Sequence, residues 1–195
     1  LDDDFCDPLE LRADSTLGVP GLVQAVRAGN VAVANALGSG VVEGAGLMAY
    51  LPDLCRRLLG EELLLPSVDT WWCGEEQGLS RVLGGIESLV VKPSFPSLRA
   101  EPVFGDRLGE QGRQIMSERI GRDPEAWAGQ GLVSMSGTVD WSGSHFRPRS
   151  MSLRVFASRS GDGYDVLPGG LVRVSNEPVR ASLAIQVGGA PRICG

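Results

Sequence analysis

An α+β fold, with helices and short strands first and an antiparallel sheet last, is the architecture this sequence predicts. Three observations carry that reading. Apolar residues recur at helical spacing in the first part of the chain, as in Leu47, Leu51, Leu54 and Leu58. From Gln130 onward the texture changes to short apolar runs separated by turns such as Gly161-Asp162-Gly163 and Pro168-Gly169-Gly170. The 27 glycines among 195 residues supply the tight turns that such joins require.

The elements follow in order. A helix is expected from near Pro20, a residue suited to a first turn, to Gly29-Asn30. Residues 31–34 read as a short buried strand. Gly38-Ser39-Gly40 opens a second helix that Gly60 stops, with Pro52 inside it expected to kink it or move its start. After an irregular stretch over residues 63–74 come a short helix over 75–83, a strand over 89–92 and a helix over 108–120. Residues 130–135 read as a strand. Met151, Leu153 and Val155 alternate on one strand face with Arg154 on the other. Further strands are expected over 164–167, 171–174 and 182–187, which together make an antiparallel meander.

Composition narrows the function classes. The length suits one domain, or one lobe plus part of another, and a hydrophobic content of 43% can bury a core. A net charge of −6 argues against nucleic acid as the main partner, because neutralising phosphates needs a basic face. No membrane role is expected, since the longest weakly polar stretch, residues 31–42, falls short of the ~20 residues needed to span a bilayer. No charged segment followed by an apolar one opens the chain, so no secretory signal is read, although the sequence begins at Leu1 without a methionine. Cys6, Cys55, Cys73 and Cys194 form no CxxC pair and His145 is the single histidine. That pattern argues against structural zinc and for reduced thiols in a cytoplasmic setting.

Two stretches carry candidate chemistry. Asp2, Asp3, Asp4 and Asp7, with Glu10 nearby, offer hard oxygen ligands of the kind magnesium takes, or else form a solvated acidic segment. The spacing is not that of an EF-hand. Lys92 is the sole lysine against 17 arginines, and it closes the apolar run Ser88-Leu89-Val90-Val91. A lysine at the end of an apolar strand can hold a nucleotide phosphate or the adenine edge as a point charge, or can simply mark a strand end at the surface. Arg154 and Arg173 either clamp phosphates or face solvent. The glycines of residues 38–44 fit GxGxxxG and not the dinucleotide-binding GxGxxG. No GxSxG is present, and His145 has no partners for nucleophilic catalysis.

Taken together, these segments resemble one family. The opening DDDFCDPLELRADS of residues 2–15 and LGVPGL of 17–22 resemble the first motif of circularly permuted type 2 ATP-grasp proteins. VAVANALGSGV (31–41), LLLPSVDTWWCG (63–74), VVKP (90–93), LRVFA (153–157) and LPGGLVRV (167–174) continue the resemblance in the same order. The resemblance implies an ATP-grasp-like fold over residues 1–195 as one domain and a fragment of a longer protein. It further implies a ligase, similar to glutathionylspermidine synthase, that uses ATP and magnesium to join a carboxylate to an amine through an acyl-phosphate. On the same ground Asp2, Asp3, Asp4 and Asp7 are candidate magnesium ligands, Lys92 is the candidate ATP lysine, and Arg12, Arg154 and Arg173 are candidate phosphate contacts. The expected partners are small-molecule or peptide carboxylate and amine substrates. Two departures favour an alternative, a non-catalytic homologue serving as a binding or assembly module. Gly131 follows Gln130 where such proteins carry an acidic residue, and Ala190-Pro191-Arg192 replaces a Ser-Lys-Asp run.

Overall fold

In the computed structural model, which describes residues 5–95, 100–175 and 190–194, the chain forms two compact units, Leu1–Gly131 and Leu132–Gly195.

The first unit mixes short helices with one sheet. Helix α1 (Leu22–Arg27) starts after Gly21, whose φ of 82° is a conformation that costs glycine nothing. The expected strand at 31–34 is absent. Those residues are irregular and exposed, and no described strand pairs with them, so their apolar character alone does not make a strand. The expected second helix is broken into a 3-10 turn (Ser39–Glu43), helix α2 (Ala45–Met48) and helix α3 (Leu51–Leu59). Pro52 accounts for the last break. It sits in the first turn of α3, where a missing N–H has no intrahelical partner to lose. Gly60, left-handed at φ 71°, ends α3 and donates its N–H to the Arg56 carbonyl.

Strand β1 (Thr70–Trp72) lies inside the stretch read as irregular. Helix α4 (Glu76–Leu83), strand β2 (Leu89–Pro93), strand β3 (Val103–Phe104) and helix α5 (Glu110–Arg122) follow, close to expectation where they were expected. Strand β4 (Trp127–Gly131) replaces the strand placed at 130–135. It starts earlier because Trp127 pairs with Pro93, and it stops at Gly131, opposite Leu89, where β2 begins and the ladder runs out of partners. The sheet order is β1-β4-β2-β3, every pair antiparallel.

Alternation along the strands gives this sheet two chemically different faces. Leu89, Val91 and Trp127 point to one face and meet Val82 of α4 and Met116 and Ile120 of α5 in the buried core. Gly129 shares that face, and a Cβ there would lie 2.5 Å from Val82, so β4 approaches α4 only without a side chain.

The second unit is antiparallel, as the turn-rich texture requires. Strands β5 (Ser136–Trp141), β6 (Phe146–Arg154), β9 (Gly170–Val174) and β10 (Ala190–Cys194) form a sheet in the order β10-β9-β6-β5. Strands β7 (Ala157–Ser160) and β8 (Gly163–Val166) form a separate hairpin turned at Gly161, φ 59°. Strand β6 ends at Arg154, which leaves Val155 beyond it. The strand expected over 182–187 lies outside the described residues. Among the described residues no helix is long and apolar enough to cross a membrane.

Candidate functional site

The second face of the first sheet carries the polar side chains. Register places Val90, Lys92, Ala128, Gln130, Thr70 and Trp72 on it, opposite the packed core. Helix α2 lies against this face, where Gly46 meets the Trp72 ring and Ser94. Trp72 is fixed at both ends. Its indole N–H donates to the Glu125 carbonyl at 2.9 Å, and its ring meets the edge of Tyr50. Tyr50 in turn donates to Glu75 at 2.5 Å; burial and that carboxylate together push the phenol up to about 12.

Lys92 is half-buried in this setting. Its Nζ donates to Gln130 Oε1 at 2.5 Å, and among the described residues no carboxylate is ion-paired with it. Burial lowers its pKa from the ordinary 10.5, because a cation removed from water loses hydration that a neutral amide only partly restores. Two residues on, Ser94 is fully buried and its Oγ has no hydrogen-bond partner. A buried hydroxyl without a partner is uncommon and asks for one. Lys92 thus presents a poorly compensated positive charge at the end of β2, which suits a phosphate oxygen.

The other candidates fall in different surroundings. Asp7, placed above among the magnesium ligands, has no exposed surface. Its Oδ1 accepts the N–H groups of Leu9 at 2.9 Å and Gly21 at 3.2 Å, and its Oδ2 accepts that of Val23 at 2.9 Å. Burial acts to raise the carboxyl's pKa, but backbone donors from Val23, Leu9, Gly21 and Glu10 outweigh it and hold the group below 3.8. The carboxylate thus ties the N-terminal segment to the start of α1. Arg12 pairs with Asp14 at 3.2 Å and lies 4.5 Å over the Phe5 ring. Asp2, Asp3 and Asp4 lie outside the described residues. In the second unit, Arg173 faces Ser152 across the β6–β9 ladder and Arg154 faces Leu171, so the two arginines share one face as diagonal neighbours. Arg154 is exposed and Arg173 half-buried.

Gln130, Thr70 and Ser94 escaped the sequence reading. Ser94 was within reach, since it stands two residues past Lys92 and period two puts both on one face. Gln130 and Thr70 join the site only through strand pairing, which no local pattern encodes.

Comparison with known proteins decides the family. The family model described as circularly permuted ATP-grasp type 2 matches residues 1–175. The chain belongs to the circularly permuted ATP-grasp type 2 family. Its relatives include uncharacterized protein ML0605 of Mycobacterium leprae, 41% identical over 90% of this chain and 31% of that protein. Uncharacterized protein Rv2411c of Mycobacterium tuberculosis is 39% identical over 90% of this chain and 32% of its own length. Uncharacterized protein sll0335 of a Synechocystis strain is 38% identical over 90% and 36% respectively. The chain therefore spans about a third of the length of the curated relatives it matches. The α+β architecture, helices with antiparallel sheets, agrees with an ATP-grasp-like fold.

Proposed function

We propose that this ATP-grasp domain serves an ATP- and magnesium-dependent ligase that joins a carboxylate to an amine, with Lys92 as a phosphate contact. One observation carries the reading: a half-buried lysine, the only one in the chain, whose Nζ is met by a neutral amide and, among the described residues, is ion-paired with no carboxylate. A cation left uncancelled in this way fits a phosphate. ATP, when bound, supplies the phosphoryl group that activates the carboxylate before the amine displaces phosphate.

The chain's own part is positioning and charge neutralisation, which dominate phosphoryl transfer. Lys92 would hold phosphate oxygens at the end of β2. Magnesium is assigned to Asp2, Asp3 and Asp4. Asp7, whose oxygens take backbone donors and present no open face, would hold their segment to α1. Arg154 and Arg173, on one face of their sheet, are proposed phosphate contacts, and Arg12 is a third. The substrates are proposed to be small-molecule or peptide carboxylates and amines, and the setting cytoplasmic. A second reading, a nucleotide-binding module without turnover, is favoured by Gly131 at the end of β4, where the resemblance implies an acidic residue.

The test is a melting experiment with and without ATP and magnesium. Ligand at about 100 times its Kd stabilises the folded chain by about 2.7 kcal/mol, a rise in Tm of roughly 5–10 °C at this size. Lys92→Ala should remove most of that rise, and an unchanged rise would refute the assignment. Release of ADP on addition of carboxylate and amine pools separates ligase from binding module.

A further inference from the structure

We propose that Gln130 and Thr70 are positioning residues for Lys92, forming a polar relay across three strands that aims the ammonium while leaving its charge uncancelled. The identity of what Lys92 meets rests on the nucleotide reading above; the relay itself rests on geometry.

The relay begins with register. Thr70 stands directly opposite Gln130 in the β1–β4 ladder, and Lys92 is diagonal to Gln130 in the β2–β4 ladder, all on the sheet face turned from the core. Thr70 Oγ1 donates its one proton to the Val68 carbonyl at 2.8 Å. Toward Gln130 it can then only accept, and it takes the Gln130 Nε2 proton at 3.1 Å. The Gln130 amide is thereby fixed with its carbonyl end at Lys92, 2.5 Å from Nζ. The opposite orientation would set an N–H group against the ammonium and leave the amide carbonyl facing a hydroxyl whose proton is already spent. Thr70 thus decides which end of the amide Lys92 sees.

The consequence is electrostatic. A neutral acceptor takes one of the three ammonium protons and leaves two for a ligand. A carboxylate in the same place would cancel the charge. Among the described residues, the other titratable groups near this face already have partners: Tyr50 donates to Glu75 beside Trp72, and Arg107 lies over the ring of Phe104, which stands opposite Val90. Among the described residues no ion pair cancels the charge of Lys92. A polyphosphate is the ligand class that gains most from such a cation, since it brings the charge the site lacks.

The relay is tested on lysine labelled with ¹³C at Cε, which reports one side chain because Lys92 is the only lysine. Its pKa is followed by NMR in the wild type, Thr70→Val and Gln130→Glu, beside ATP titrations by calorimetry. Gln130→Glu should raise the lysine pKa by about 1–3 units, as an adjacent opposite charge does. It should also weaken ATP by about tenfold or more. Thr70→Val, close in shape but without the hydroxyl that accepts from Gln130 and donates to the Val68 carbonyl, should lower the pKa and weaken ATP by a smaller factor. Identical lysine titrations in all three folded proteins would overturn the relay. If the wild type binds no ATP while the pKa shifts appear, the nucleotide reading falls and the relay stands.

Discussion

At Lys92 the folded state holds a charge less comfortably than the unfolded chain does. Its pKa is lowered by burial, so the unfolded chain binds this proton more tightly. The penalty is present below the folded pKa and is relieved as pH rises toward 10.5, where the unfolded lysine also loses its proton. Two outcomes are expected. Lys92→Met should be at least as stable as the wild type at pH 7 in urea denaturation, because it removes a desolvated charge from a site that a ligand, not the fold, needs charged. ATP affinity of the wild type should fall as pH rises through the lowered lysine pKa, and that fall should vanish in Lys92→Met. A wild-type affinity that stays level up to pH 10.5 would place the phosphates elsewhere. Asp7 is the opposite case at the same scale. Its charge is matched by the backbone N–H groups of Leu9 beside it and of Gly21 and Val23 at the start of α1, so the fold itself uses it.

Strand β4 shows where local sequence stops being informative. Trp127-Ala128-Gly129-Gln130-Gly131 contains no β-branched residue and two glycines, a composition poor for a strand. It is nonetheless central, paired on one side with β1 and on the other with β2. Tertiary pairing overrides propensity here, and with β4 misplaced the Lys92–Gln130–Thr70 arrangement was out of reach. Strand β2 was legible because three buried apolar residues in a row precede its lysine. The end of α3 was legible because Gly60 marks it, whereas its start was expected back at residues 38–40, with Pro52 only marking a kink or a shifted start. The runs at 31–34 and 63–74 misled in opposite directions, one apolar without a partner strand, the other irregular in look yet holding β1. Gly129 makes the dependence on packing measurable. Gly129→Ala places a methyl 2.5 Å from Val82 in a filled core, so it should cost about 1–3 kcal/mol in urea denaturation. Loss below a few tenths would mean that β4 and α4 are looser than described.

For the molecule as a whole, the two units differ in how much they bury. The first encloses a cluster running from Cys73 through Val82, Val91 and Ile120 to Trp127. In the second, among the described residues and leaving glycine aside, only Ser150, Val174 and Ser175 are buried, while Tyr164, Val166 and Leu167 are exposed. Stability should be distributed accordingly. Hydrogen exchange followed by mass spectrometry should find β2 and β4 the slowest amides and the fully exposed β7–β8 hairpin among the fastest. Equal protection in the two units would contradict this.

The placement of the four tryptophans has an optical consequence. Trp71, Trp72 and Trp127 belong to the first unit, and Trp127 is 5% exposed beneath the Arg119 guanidinium. Trp141, in the second, is already 55% exposed in the native hairpin. Intrinsic emission should therefore follow the first unit almost alone, and a clean sigmoid in fluorescence would conceal an earlier opening of the second. Circular dichroism in the far ultraviolet, which weighs every strand, should begin to change first. Coincident curves from the two signals would instead mean that the chain unfolds as one.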